Sequence, residues 1–110
     1  MPITYKVLGQ AAPAGTTNVD LYTVGAGKSA VVSTLAIANT TAAAATYRVF
    51  VRVAGATAAA ANAVVYDASA AANSTTALTL GMTLAATDVI TVQTGTANAL
   101  TFQAFGQENS

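Results

Sequence analysis

Hydrophobic and polar positions along the chain alternate with a period of two. The clearest stretch is residues 45–54, where Ala45, Tyr47, Val49, Val51 and Val53 fall on one face. Thr46, Arg48, Phe50 and Arg52 fall on the other. Every second side chain of a strand points the same way, so this pattern and its β-branched and aromatic content predict a half-buried strand. In residues 29–39, Val31, Ser33, Leu35 and Ile37 alternate with Val32, Thr34, Ala36 and Ala38, which predicts a strand covered on both faces. Shorter strands are predicted over residues 4–10, 19–24, 63–68, 75–80, 88–94 and 100–106.

Turn residues separate these segments. Pro13 and Gly15 lie in the first gap, Gly25 and Gly27 in the second, and Asn39-Thr40-Thr41 follows the long strand. Gly81, Gly95 and Asn98 mark the later corners. About eight short strands at this spacing predict an all-β fold, a single antiparallel β-sandwich over residues 1–110 with jelly-roll or immunoglobulin-like connectivity. Two runs of four alanines, 42–45 and 58–61, favour helix locally. Four residues cannot repay helix nucleation, so the second run predicts no more than a helical turn in the 55–62 connection.

Composition then narrows the chemistry. The 110 residues include no Cys, His or Trp. That excludes thiol nucleophiles, zinc sites, serine–histidine couples and disulfide frameworks. Charged residues make up 7% of the chain, against roughly 25% in an average domain. Four basic and four acidic residues give zero net charge. Four cations are too few for a dedicated nucleic-acid binder. Low charge with a mean hydropathy of +0.54 opposes disorder and favours self-association. Residues 29–47 are free of formal charge but carry Ser33, Thr34, Asn39, Thr40 and Thr41, so no membrane span is expected there. Residues 1–10 hold Lys6 with no apolar run behind it and do not read as a signal peptide. Of 59 apolar residues 28 are Ala, which leaves a lean core and suggests stabilising surface between subunits.

Few motifs survive this filter. Gly27-Lys28-Ser29 resembles the end of a phosphate loop, but Tyr22 stands where the first Gly belongs and a strand follows, so a tight turn is expected. Asp20, Asp67, Asp88 and Glu108 are dispersed, and Asp20 and Asp88 are expected to accept hydrogen bonds from turn amides. Tyr47 reads as core, and Tyr5, Tyr22 and Tyr66 as packed rings with satisfied hydroxyls. Asn39-Thr40-Thr41 and Asn73-Ser74-Thr75 fit the glycosylation pattern, which a Thr-rich chain produces by chance. Arg48, Phe50 and Arg52 have two readings, a contact patch or a solvated face where Arg stems cover a ring. No catalytic, cofactor-binding or metal-ligating residue is expected.

Several segments together resemble a family. Tyr5-Lys6-Val7-Leu8-Gly9-Gln10 is followed by Leu21-Tyr22-Thr23-Val24 and by Ala30-Val31-Val32-Ser33-Thr34-Leu35. Leu78-Thr79-Leu80-Gly81, Asp88-Val89-Ile90-Thr91-Val92 and Phe102-Gln103-Ala104-Phe105-Gly106 complete the set. The chain is similar to small β-sandwich virion structural proteins of tailed bacteriophages, which decorate capsids or belong to tails. It departs from that pattern at Gly25, where Pro is expected, and at Thr40, where a basic residue is expected. These departures bear on loop contacts and leave the sandwich intact. The resemblance implies a non-enzymatic capsid decoration or cement subunit in the virion, assembled in the host cytoplasm. Expected partners are copies of itself and other virion proteins such as the major capsid protein, with no nucleic acid, membrane or small-molecule substrate. A tail, neck or fibre component is the nearest alternative. A carbohydrate-binding or adhesin module and a carboxylate-pair hydrolase are the alternatives from other classes.

Overall fold

The computed structural model describes residues 3–79 and 81–110. Among the described residues nine strands are present: β1 (Ile3–Ala11), β2 (Val19–Thr23), β3 (Ser29–Asn39), β4 (Ala45–Arg52), β5 (Ala63–Ala70), β6 (Thr75–Leu78), β7 (Met82–Leu84), β8 (Val89–Thr94) and β9 (Leu100–Asn109). Two single 3-10 turns lie between β4 and β5, at Val53–Gly55 and Ala60–Asn62. The second falls in the alanine-rich connection, where the Asn62 side chain accepts from the Ala59 N–H at 3.0 Å.

The strands form two antiparallel sheets, in the orders β1-β9-β3-β6 with β7 also on β3, and β2-β8-β4-β5. Each of the first three connections passes from one sheet to the other, β4 and β5 then pair within one sheet, and the chain crosses back at β6. That winding, with first and last strands side by side, is a jelly roll and settles the connectivity left open above. β6 and β7 pair with successive stretches of β3, at Leu35–Ala38 and Ala30–Val32. Strand β7 is an addition to the sequence-based set. The strand expected over 75–80 ends at Leu78, and its last residue, Leu80, lies outside the described residues. Strand β4 stops at Arg52, two residues short of expectation. Ala54 turns to a φ of 53°, held by its N–H donating to Asp88 Oδ1 at 2.9 Å.

Strict alternation fails in β3, and the reason is physical. Its pairing with β9 shifts between Val32 and Thr34, so Ser33 is an extra residue. Such a bulge moves every later side chain to the opposite face. Val32, Leu35 and Ile37 are therefore all buried, while Val31 and Ser33 leave the core face. Strand β1 carries a matching shift between Val7 and Gly9, on the other flank of β9. The two bulges flank Phe105, the one in β1 toward Ala104 and the one in β3 toward Gly106. Gly106 is required there: a Cβ on it would run into the Val31 carbonyl.

The core lies between the sheets. Phe102, Leu35, Ile37 and Leu100 come from one side, Val49, Ile90 and Val92 from the other. Tyr47 meets Phe102 edge-to-face across the gap, with centroids 6.3 Å apart. Ala30, Ala45, Ala70, Ala99 and Ala104 are also buried, so much of the alanine content spaces the layers. At one end Tyr22 of β2 donates to Glu108 Oε2 of β9 at 2.7 Å and ties the sheets together.

Gly106→Ala is expected to cost about 1–3 kcal/mol, the range of overpacking against backbone. Gly15→Ala, with open space around it, is expected to leave stability within about 0.5 kcal/mol of the parent. Urea denaturation of the two variants checks this.

Candidate interaction surface

The stripe expected from sequence lies on the outer face of the four-stranded sheet. Phe50 is buried at 4% exposure, yet it stands outside the core between the sheets. Tyr66 of β5 packs on it edge-to-face at 6.5 Å, and the Arg48 guanidinium lies 4.0 Å above the Tyr66 ring. Arg48 also makes a two-pronged bond to Asp67, at 2.7 and 3.0 Å. Asp67 has a φ of 56°, within a strand whose register shifts twice. Arg52 donates to Asp20 at 3.0 Å, to Thr91 at 3.2 Å, and to the Gly55 and Ala56 carbonyls. The two arginines are thus engaged by the chain's own groups, and the ring between them is covered.

Other sequence motifs take structural places. Gly27 has a φ of 74°, the Lys28 N–H donates to the Gly25 carbonyl at 3.2 Å, and β3 follows directly, as expected of a tight turn. Asp88 accepts from the Ala54 and Ala85 N–H groups, both at 2.9 Å, as a turn carboxylate should. Asp20 does not: it accepts instead from Arg52 and, at 2.8 Å, from the Thr91 hydroxyl. Its register position opposite Thr91 puts it on the outer sheet face, away from turn amides. Asn39 is 3% exposed and donates to the Ala43 and Ala70 carbonyls, so its amide is a structural plug. Among the described residues no group of three or more acidic, His or Cys side chains is placed to hold a metal. A polar recess of about 260 Å3, lined by Arg48, Asp67, Gln93 and Thr94, falls below the roughly 300 Å3 of ordinary ligand pockets.

The other sheet carries a surface that the sequence reading missed. Tyr47 and Tyr22 are buried as expected, but Tyr5 is 77% exposed and Tyr66 52%. Tyr5 lies between Ile3 and Val7, which are also exposed. The bulge at Leu8 is the cause. Beyond it, Gly9 approaches the Leu21 carbonyl and Ala11 packs on the core. Before it, the faces are exchanged, so apolar side chains point outward. Lys6, paired in register with Gly106 and through it with buried Val32, points to the inner face. There Lys6 lies 3.2 Å from Glu108, which also meets Lys28 at 3.6 Å. An open trough of about 360 Å3 runs beside the strand, between Tyr5, Val31, Ser33 and Phe105. The available signal was Ile3, Tyr5 and Val7 alternating with Thr4 and Lys6, a stripe legible as a face but without the bulge that says which way it points.

All four basic side chains are ion-paired. The hydrogen bond from Tyr22, then that from Lys6, holds the Glu108 carboxyl below the usual carboxylate range. The Arg48 hydrogen bonds do the same for Asp67. Burial and Glu108 together push the Tyr22 hydroxyl well up. A carboxylate depressed in the folded state stabilises above its unfolded pKa, about 4, and that contribution is lost as pH falls through the folded value. Thermal stability should therefore be level from pH 7 to 5 and fall below about pH 4. Glu108→Gln should flatten that fall and lower the plateau, as melts between pH 7 and 2.5 would record.

No protein-family model matches the chain, and no curated protein matches its sequence. Among solved structures, a chain in the structure of infectious bursal disease virus Gx strain is similar, with a TM-score of 0.52 and 13% sequence identity. The match covers 97% of this chain and 31% of that one, so the present chain spans about a third of its length. What the two share is the fold: two antiparallel sheets wound as a sandwich.

Proposed function

We propose that the chain is a non-enzymatic structural subunit of a virion. The carrying observation is a sandwich that runs over nearly the whole chain on the pattern of a chain from a virus structure. Jelly rolls serve viral capsids and lectins alike, so the surface has to separate these uses. Here the ionic groups are matched within the chain and a strand presents Ile3, Tyr5 and Val7 outward. Such a surface suits packing against other proteins better than it suits chemistry on a small substrate. In the fuller reading the subunit decorates or cements a tailed-phage capsid. It binds the major capsid protein and its own copies, and it stabilises the assembled state by mass action, about 2.7 kcal/mol per site at a hundredfold excess over Kd. Arg48, Phe50 and Arg52 then belong to a second contact face, reached by opening the Arg48–Asp67 pair.

One observation favours a sugar-binding reading instead. Tyr66 is half exposed beside the polar recess of Arg48, Asp67 and Gln93, and an exposed ring next to hydrogen-bonding groups can stack a sugar. Glycan binding abolished by Tyr66→Ala would support that reading over the first.

Antibody labelling of intact particles made by the virus that encodes the chain is the direct test. Label on the head lattice is expected. Label confined to tails moves the subunit to the tail, neck or fibre alternative, and purified particles without label overturn the virion reading.

A further inference from the structure

The four sheet edges are not treated alike. A free edge presents unpaired N–H and C=O groups and is normally blunted by shortness, bulges, charge or cover. Strand β2 is five residues long with a register shift, and Arg52–Asp20 sits on it. Strand β5 has two register shifts and the Arg48–Asp67 pair. Strands β6 and β7 are four and three residues long. The later half of β1 is covered where Gly9 meets Leu21 of β2. Residues 3–7 of β1 have none of these protections. All five are exposed, their pairing with β9 is unbroken, and no other backbone hydrogen bond reaches them among the described residues. An inward-pointing charge can also block an edge. Lys6 is such a charge, but it is paired with Glu108 of the neighbouring strand, which it shares with Lys28, so a further strand would bury no ion without a partner.

We infer that this edge joins two copies of the chain: β1 pairs antiparallel with β1 of a second copy about a two-fold axis at Tyr5. The inference names one contact of the subunit described above and rests on that reading for its biological setting, but not for its geometry. With the axis at Tyr5, Ile3 of each copy lies opposite Val7 of the other, and Tyr5 opposite Tyr5. The six side chains then make one apolar stripe on the outer face of a continuous sheet. Lys6 faces Thr4. Moving the axis one residue, to Lys6, would set two like charges opposite each other, which cross-strand pairing disfavours. The chain's zero net charge adds no long-range repulsion between copies. Five residues of ladder make a small interface, below the roughly 1,000 Å2 that a stable specific interface clears, so the contact is a weak and reversible one. A reversible dimer at micromolar concentrations is the expected strength.

The absence of Cys makes a clean test available. Directly opposed residues of an antiparallel pair have Cα atoms about 4.5 or 5.5 Å apart, within the span of a disulfide. Tyr5→Cys protein should therefore form a covalent dimer on mild oxidation. Ile3→Cys and Val7→Cys proteins should cross-link with each other when mixed, in preference to cross-linking with themselves. Val64→Cys, exposed on β5, is the control and should remain monomeric. In sedimentation equilibrium the unsubstituted protein should dimerise, and Tyr5→Lys should weaken this at least about tenfold, with Val64→Lys leaving it unchanged. Circular dichroism and a melt on each variant establish that it is folded. A monomer at several hundred micromolar, or cross-linking no faster for Tyr5→Cys than for Val64→Cys, overturns the inference. A monomer that still labels particles removes this dimer and leaves the virion subunit standing. A dimer absent from particles does the reverse.

Discussion

The register step around Phe105 and Gly106 is the constraint on which the rest of the molecule depends. Strand β9 runs straight through the five-stranded sheet, with Leu100, Phe102 and Ala104 inward. Its two neighbours each insert one extra residue beside Phe105, Leu8 in β1 and Ser33 in β3. Each insertion exchanges inside for outside. In β3 the exchange lets Val32 join Leu35 and Ile37 in the core. In β1 it sends Ile3, Tyr5 and Val7 to the surface and brings Lys6 to the inner side. Gly106 permits the arrangement, because the β3 backbone at Val31 and Val32, just before the bulge, occupies the space of a side chain.

The charge distribution follows from that step. Lys6 on the inner side needs an anion, and Glu108, two residues along β9 from its register partner Gly106, supplies it through Oε1 while its Oε2 accepts from the Tyr22 hydroxyl. This links three strands from both sheets at one end of the sandwich. On the opposite outer face Asp67 and Asp20 take up the two arginines. A chain with so few ionic groups thus spends them on its own backbone geometry and sheet closure, and the surface left over is apolar or neutral. Repulsion that would keep copies apart is largely missing.

Much of this was legible in the chain itself, for definable reasons. Alternation from Ala45 to Arg52 identified β4 because nothing interrupts its faces until Ala54 turns. The eight expected strands all exist, since their turn residues are local signals. The bulges were not legible. A single extra Ser or Leu within an alternating run looks like continued strand, and its effect appears only when the partner register is known. The same limit hid β1's orientation and left Tyr5 assigned to the packed rings. Strand β7 is three residues long, too short for periodicity to register. Alternation alone places Arg48, Phe50 and Arg52 on one face, as the register with β8 has them. Its covering by Tyr66 and pairing with Asp67 depend on a strand some fifteen residues away.

An exchanged strand is costly to an isolated molecule. Apolar side chains left in water forgo roughly 25 cal/mol per Å2 that burial would return. The sequence also forgoes the simple remedy of a polar residue at position 5 or 7. A sheet that blunts its other edges with bulges, ion pairs and shortness, and leaves this one flat and apolar, has its deficit in one place. Covering that place recovers the forgone burial and completes the unpaired backbone ladder in the same step. Two bulges on the two flanks of β9 thus have opposite consequences: the one at Ser33 gives β3 its core face, and the one at Leu8 turns the apolar side chains of β1 outward along an open edge.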